Sequence, residues 1–472
     1  MSTVRTRIAP SPTGEYHIGH LRTCLYNYAL AKKNHGQFIL RIEDTDQKRF
    51  VPGAQERILK DIKDYGMTWD EGPDIGGPYG PYVQTQRLDV YQKYIRQLLD
   101  KGLAYYCFCS EDRLNEMRQI QKTAHQIPKY DRHCLNLSKG EIETKIKNGE
   151  SYVIRLRVPD NQIITFTDAI RGQITINSQD IDDQVLIKSD GIPTYHFAVV
   201  VDDHLMKISH IFRGEEWITS TPKQIILYEA FGWEVPIFIH LTVLMDPSGH
   251  GKMSKRKGSV SARSFLDEGY LPEALLNFLM LLGWNPGTDR ELFTLEEFIQ
   301  EFSLEHLHKK SPIFDRKKLD YFNGLYIRQK SNEELFPYFR KFLPAASDEQ
   351  IKILIPVLKE RLIKFSDLPG QVKFLFEDID YDKELLLKKG TSPELATEML
   401  TKTKELLSDF TNLVSRIQNL VSTNAWNTGE FFMVFRVAIC GSAFTPPVVE
   451  CLPALGKEGT LHKIDIALQK LK

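Results

Sequence analysis

Within its first 36 residues the chain passes from a strand through a turn into a helix, with two histidines at the handover. Val4 to Ala9 reads as a strand, and Pro10-Ser11-Pro12-Thr13-Gly14 forces a turn. Leu21 to Ala31 then carries apolar residues at helical spacing, with a stop near Gly36. His17-Ile18-Gly19-His20 occupies the junction. Open α/β sheets bind nucleotides at such a junction, because the free amides of a helix start favour phosphate. Gly19 lets a flat base approach the backbone, and His17 and His20 can donate hydrogen bonds to phosphoryl oxygens.

A second cluster lies past the middle of the chain. Pro247 to Ser259 is a glycine-rich cationic loop without an acid, and it contains Lys252-Met253-Ser254-Lys255-Arg256. Such a loop can bring positive charge to a leaving pyrophosphate. Either cluster alone fits a plain turn or a solvated basic loop. The pair, in this order, points to a site that holds the phosphates of ATP.

The two clusters resemble the HIGH and KMSKS signatures of class I aminoacyl-tRNA synthetases. Arg7 to Gly14, Arg41 to Asp46, Tyr195 to Ala198, Val201 to Leu205 and Arg213 to Trp217 narrow the likeness to bacterial-type glutamyl-tRNA synthetases. The resemblance spans the chain and is strongest before about residue 330. Glutaminyl enzymes share the catalytic fold, but their opening motif differs and their anticodon domain is built of β-barrels.

The resemblance and the pattern along the chain together imply an α/β fold. A Rossmann-like catalytic domain (1–85 and 196–246) would be split by an α+β insertion at 86–195 that guides the acceptor end of tRNA. The loop and a stem-contact domain would fill 247–330. An all-α anticodon-binding region would follow at 331–472, where the periodicity is almost only helical, as in Gln350 to Phe365 and Ser392 to Leu407. The sheet is expected to resume at Tyr195.

Substrate choice can be argued from charge. Glutamate carries two carboxylates and one ammonium, so a selective site needs two fixed cations and an anion; Arg7, Arg213 and Glu43 supply that set. The resemblance implies that Arg7 faces the side-chain carboxylate and Arg213 the α-carboxylate. Glu43, Ser11 and the Ala9 carbonyl would hold the ammonium, Tyr195 would add a hydroxyl, and Trp217 an apolar wall. His17, Gly19, His20, Lys252, Ser254 and Lys255 would bind ATP with Mg²⁺, with His17, His20, Lys252 and Lys255 serving the phosphates. Val199 stands where the family usually has asparagine, a change that bears on a polar contact in or behind the pocket.

Cys107, Cys109 and Cys134 present three thiols, with Tyr130, His133 and Asn136 close by. Three thiolates and one nitrogen or oxygen would make a closed structural zinc site; apolar packing of reduced cysteines is the alternative. Some relatives carry a histidine where this chain has Asn136, and Tyr130 matches a fourth ligand in the related glutamyl-queuosine enzymes. Cys24, Cys440 and Cys451 read as core residues.

The chain has 472 residues, 42% of them hydrophobic, a net charge of −1 and six cysteines, which fits a multidomain enzyme of a reducing, cytoplasmic compartment. No apolar run reaches membrane length, and the first strand begins by residue 4, which leaves no room for a signal peptide. Positive charge is local: seven lysines and arginines against two acids from His308 to Lys330, with Phe314, Tyr321, Phe322 and Tyr326 among them. Expected partners are tRNA-Glu, ATP and L-glutamate, with no membrane, and the chain is expected to work as a monomer. Arg361 is the candidate reader of the third anticodon base, in a segment comparable to the helix that carries an arginine in family members rejecting tRNA-Gln. Two readings from other classes stay open. A small-molecule nucleotidyltransferase would share the histidine motif but has no use for the helical C-terminal half. A catalytically dead RNA-binding paralogue would have lost motif residues, and all are present.

Overall fold

The expected opening is present: β1 (Arg5–Ile8) leads into α1 (Ile18–Lys33) and on to β2 (Gln37–Leu40), which pairs parallel with β1. The computed structural model describes residues 3–249, 251–253, 260–407 and 409–472. They form two units, one of Met1–Ser264 with Leu276–Asp315 and one of Phe265–Leu275 with Arg316–Lys472. Of residues 247–330, 247–264 and 276–315 belong to the first unit and 265–275 and 316–330 to the second.

In the first unit α2 (Ala54–Asp64) and α3 (Leu88–Asp100) precede β3 (Ala104–Cys107), α4 (Glu111–Thr123), α5 (Lys139–Lys147) and β4 (Val153–Leu156). The hairpin β5 (Ile163–Asp168) and β6 (Gly172–Asn177) follows, then β7 (Val185–Ile187), α6 (Tyr195–Leu205), β8 (His210–Gly214), α7 (Thr221–Phe231) and β9 (Ile237–Leu241). One sheet has the order β2-β1-β8-β9-β5-β6, parallel except for the β5–β6 edge; the other is an antiparallel β3-β4-β7.

The fold departs from the sequence expectation at two places. The insertion does not merely split the sheet, because its hairpin β5–β6 extends the catalytic sheet beside β9. The sheet also resumes at His210, not Tyr195: Tyr195 opens a helix in which Phe197 to Asp203 are all buried. A β-branched buried run fits a strand or a buried helix equally, and packing on both sides chose the helix.

The second unit holds only helices among its described residues, including Asp348–Leu358, Pro393–Leu406, Leu413–Thr423, Thr428–Cys440 and Val448–Leu471, the last broken at Gly456. Their core is aliphatic and aromatic, with Leu354, Met399, Phe435 and Ile464 fully buried. The helix expected over Gln350 to Phe365 stops at Leu358, and Leu362 and Phe365 then turn into that core. Cys24, Cys440 and Cys451 are buried, as expected.

Candidate active site

The carboxyl ends of β1, β2, β8 and β9 surround a cavity of about 540 Å³. Ligands of open parallel sheets bind at this edge, where the strand order reverses. Its lining brings together Arg7, Ala9, Ser11, His17, Gly19, His20, Glu43, Tyr195, Arg213, Trp217 and Lys252, segments separated by up to 245 positions in the chain. Ser254 and Lys255 lie outside the described residues. Val199 is buried in the core of the unit and does not line the cavity.

The histidine end is fixed by the start of α1. The His17 Nδ1 accepts from the Gly19 amide at 2.9 Å, so the neutral ring carries its proton on Nε2 and can donate from there. A side chain at position 19 would lie 3.2 Å from that Nδ1, which explains the glycine. The segment that follows the cationic loop is tied to the same place: the Ile18 amide donates to Val260 O at 2.8 Å and the Ala262 amide to Tyr16 O at 2.8 Å. On the other flank of the loop the Met253 amide donates to Leu244 O at 2.8 Å, and Lys252 lies 3.5 Å from Glu216. The described residues that flank 254–259 are thus tied beside the cavity, Met253 in its lining and Val260 at the start of α1.

The arginine end is a buried ionic network. Arg7 forks onto Asp203 at 3.1 and 3.3 Å, and Arg41 donates to Asp203 and Glu43 at 2.8 Å each. Arg87 holds Asp202 at 2.7 Å, with Tyr91 and Gln84 completing that carboxylate. Burial works against the Asp203 charge, but Arg7 and Arg41 outweigh it and hold the carboxyl below its usual range. The sequence reading missed Arg41, Asp202 and Asp203 as network members, although two adjacent acids ending an apolar run were a usable signal.

Two guanidiniums facing the cavity have no carboxylate partner among the described residues. Arg22 of α1 donates to the Leu282 carbonyl at 2.9 Å and to that of Thr242. Arg213 is held by the His240 Nε2 (3.0 Å), the Gln224 Oε1 (2.8 Å) and the Thr221 Oγ (2.6 Å), all neutral acceptors. Burial lowers the pKa of both arginines. A buried, uncompensated cation is costly, and an anionic ligand would relieve that cost. The rings of Tyr195 and Trp217, 4.6 Å apart, form the wall between.

At the end of the antiparallel sheet, the Sγ atoms of Cys107, Cys109 and Cys134 lie within 4.8 Å of one another. The Tyr130 hydroxyl is 3.2 Å from Cys107 Sγ and 3.3 Å from Cys109 Sγ, and Cys109 and Cys134 are 3.6 Å apart. A tetrahedral zinc with bonds of about 2.3 Å needs sulfurs about 3.8 Å apart, which this spacing fits. Hydrogen bonds from Cys134, then Tyr130 and Arg155, lower the Cys107 thiol to about 4 against its burial. His133 and Asn136 are exposed.

In the helical unit, Arg361 follows the helix Asp348–Leu358 instead of lying within it, and its amide donates to Leu358 O at 3.0 Å. It lines a cavity of about 580 Å³ with Gly441, Ser442, Thr445 and Phe444, a residue that is 92% exposed. The sequence reading did not single out Phe444. No helix among the described residues is long and apolar enough to cross a membrane.

Residues 3–321 match the family described as tRNA synthetases class I (E and Q), catalytic domain, and residues 332–468 match the one described as anticodon binding domain. The chain is 45% identical to the glutamate–tRNA ligase of Clostridioides difficile over 487 aligned residues, 98% of each chain. It is 44% identical to that of Clostridium botulinum over 481, 99% of each. Among solved structures, a glutamate tRNA ligase from Elizabethkingia meningosepticum in complex with its amino acid is similar at 37% identity, with 100% of both chains covered and a TM-score of 0.90.

Proposed function

The chain belongs to the glutamate–tRNA ligases, class I aminoacyl-tRNA synthetases, and from that premise we propose how its own residues carry out the reaction. The enzyme joins L-glutamate to tRNA-Glu at the expense of ATP, through a glutamyl-adenylate, for protein synthesis.

Arg213 receives the α-carboxylate of glutamate; the observation that carries this is its burial against three neutral acceptors, with no carboxylate partner among the described residues. Arg7 meets the side-chain carboxylate while remaining forked on Asp203, and Glu43, with Ser11 and the Ala9 carbonyl, takes the ammonium. Tyr195 and Trp217 close the wall. The held α-carboxylate attacks the α-phosphorus of ATP, pyrophosphate leaves, and the terminal ribose 2′-hydroxyl of tRNA then takes the glutamyl group. His17 and His20 serve the phosphates from the α1 side, Lys252 from the other, and Lys255 shares that role by its place in the motif. Mg²⁺ bound to ATP would offset phosphate charge. Catalysis is positioning plus stabilisation of charge on phosphoryl oxygens.

Cys107, Cys109, Cys134 and Tyr130 would hold a structural zinc, which would pin the segment between β3 and α5. The domain roles follow the family: 86–195 meets the acceptor end, and the helical region meets the anticodon. There Arg361 offers a hydrogen-bonding fork and the exposed Phe444 a stacking face for an unpaired base. The enzyme works as a monomer in the cytoplasm. The deciding experiment is charging of total tRNA with labelled glutamate, where incorporation into tRNA-Glu is expected and none into any tRNA would overturn the reading.

A further inference from the structure

We propose that His240 is a positioning residue for the reaction: in its neutral form, protonated on Nδ1, it accepts from the Arg213 guanidinium and so aims that arginine at the substrate carboxylate. The inference rests on the assignment of Arg213 to the α-carboxylate.

The arrangement runs across three neighbouring strands. Asp168 ends β5, His240 lies near the end of β9, and Arg213 pairs with His240 across the β8–β9 register. Asp168 is buried and held ionised by four donors. One oxygen accepts from the Ile170 and Arg171 amides at 3.0 and 2.9 Å, the other from the His240 amide and Nδ1 at 2.9 and 2.8 Å. A carboxylate so placed fixes the imidazole proton on Nδ1 and leaves the Nε2 lone pair open. Arg213 Nε donates to that lone pair at 3.0 Å. The other two anchors are also braced: Thr221 Oγ lies 2.9 Å from Trp217 O, and Gln224 Nε2 lies 3.4 Å from His196 Nδ1. Three of the five guanidinium N–H groups are spent on these acceptors, which leaves one on each terminal nitrogen for Tyr195 and the ligand.

A second proton on His240 would set two donors of like charge against each other across that 3.0 Å contact, leaving the Thr221 hydroxyl, 3.1 Å from Nε2, as its acceptor, and so would loosen Arg213. The charged groups facing His240 are Asp168, Arg213 and Arg171, whose guanidinium reaches the His240 carbonyl; Phe166 and Phe238 pack on the ring. Burial, with Arg213 and Arg171, holds the imidazole below its ordinary value against the opposing pull of Asp168. The loss is therefore expected below the usual imidazole range, and neutral pH keeps the acceptor intact. This arrangement also gives the β5–β6 hairpin, drawn from the insertion, a part in substrate binding.

The test is aminoacylation of a tRNA-Glu transcript by the full chain, with KM for glutamate, KM for ATP and kcat followed from roughly pH 5.5 to 8. His240→Ala should raise KM for glutamate about 10- to 100-fold, the usual effect of losing a hydrogen bond to a charged group, with KM for ATP unchanged. His240→Gln, which places an acceptor oxygen near the Nε2 position and cannot titrate, should restore most of the glutamate KM and abolish its rise at acid pH. Asp168→Asn, which no longer fixes the tautomer, should raise the same KM. A parental glutamate KM in His240→Ala, or an acid rise that persists in His240→Gln, overturns the inference. Arg213→Ala separates the two levels: if that variant keeps the parental glutamate KM, the assignment of Arg213 fails first. If it loses affinity while both His240 variants keep it, only the positioning role fails.

Discussion

At the scale of single residues, charge pairing decides what each arginine of the pocket can do. Arg7 and Arg213 read alike in the sequence, but the fold gives Arg7 an internal counter-ion, whereas Arg213 has none among the described residues. Substituting Arg7 thus has two effects. Arg7→Ala should cost on the order of 2 to 5 kcal/mol in kcat/KM for glutamate, because a substrate carboxylate is left facing a site without its cation. It should also weaken the fold by about 1 to 3 kcal/mol, since Asp203 then keeps Arg41 alone among the described residues. Kinetics in which Arg7→Ala uses glutamate as well as the parent would remove it from the pocket. Asp203 gives the matching pH dependence. Its folded value lies below that of an unfolded carboxyl, near 4, so its contribution is complete above that value and disappears as pH falls through the folded one. Urea midpoints of the parent and Asp203→Asn should therefore differ by a constant amount above pH ~5 and converge in stronger acid; a gap that widens on acidification would contradict the pairing. On the phosphate side, Lys252→Ala should lower turnover about 10²- to 10³-fold, and unchanged charging would return Lys252 to a surface contact with Glu216.

At the scale of elements, the sequence showed most where one local signal sufficed and least where packing chose. The strand, turn and helix around His17 were legible because proline, glycine and a 3.6-residue period all agree there. The end of the helix at Leu358 was not: Lys359, Glu360 and Arg361 are good helix formers, and what stops them is the burial of Leu362 and Phe365. Nor could the β5–β6 hairpin be assigned to the catalytic sheet, since strand partners across 70 residues leave no local mark. The pocket residues were legible through motif resemblance, whereas their acidic partners, and Arg22 in the α1 stripe, were visible only as charges in apolar runs. The thiol cluster illustrates the same limit. Three cysteines suggested a metal, but only the fold shows Tyr130 reaching two of their sulfurs. Purified protein should carry close to one zinc, absent in Cys107→Ser/Cys109→Ser, whose 103–140 segment should become protease-sensitive. A metal-free preparation of full activity would favour apolar packing.

At the scale of the whole molecule, a net charge of −1 means that tRNA must be held by local features and not by a general field. Selection among tRNAs then depends on small differences at single bases. Arg361 is exposed and makes no side-chain hydrogen bond or ion pair among the described residues, so the fold does not need it. Exposed substitutions of that kind change stability by about 0.5 kcal/mol or less. An effect on tRNA choice would therefore report recognition and not unfolding. A guanidinium can donate to the carbonyl of a cytosine while failing to pair with the alternative base of tRNA-Gln, and each such contact is worth about 1 to 3 kcal/mol of discrimination. The enzyme is accordingly expected to charge tRNA-Glu in preference to tRNA-Gln, and Arg361→Gln to narrow that preference about 5- to 100-fold at an unchanged melting temperature. Side-by-side charging of the two transcripts decides it: equal rates on both would show an enzyme that does not discriminate, and an unchanged preference in Arg361→Gln would assign the reading of that base elsewhere.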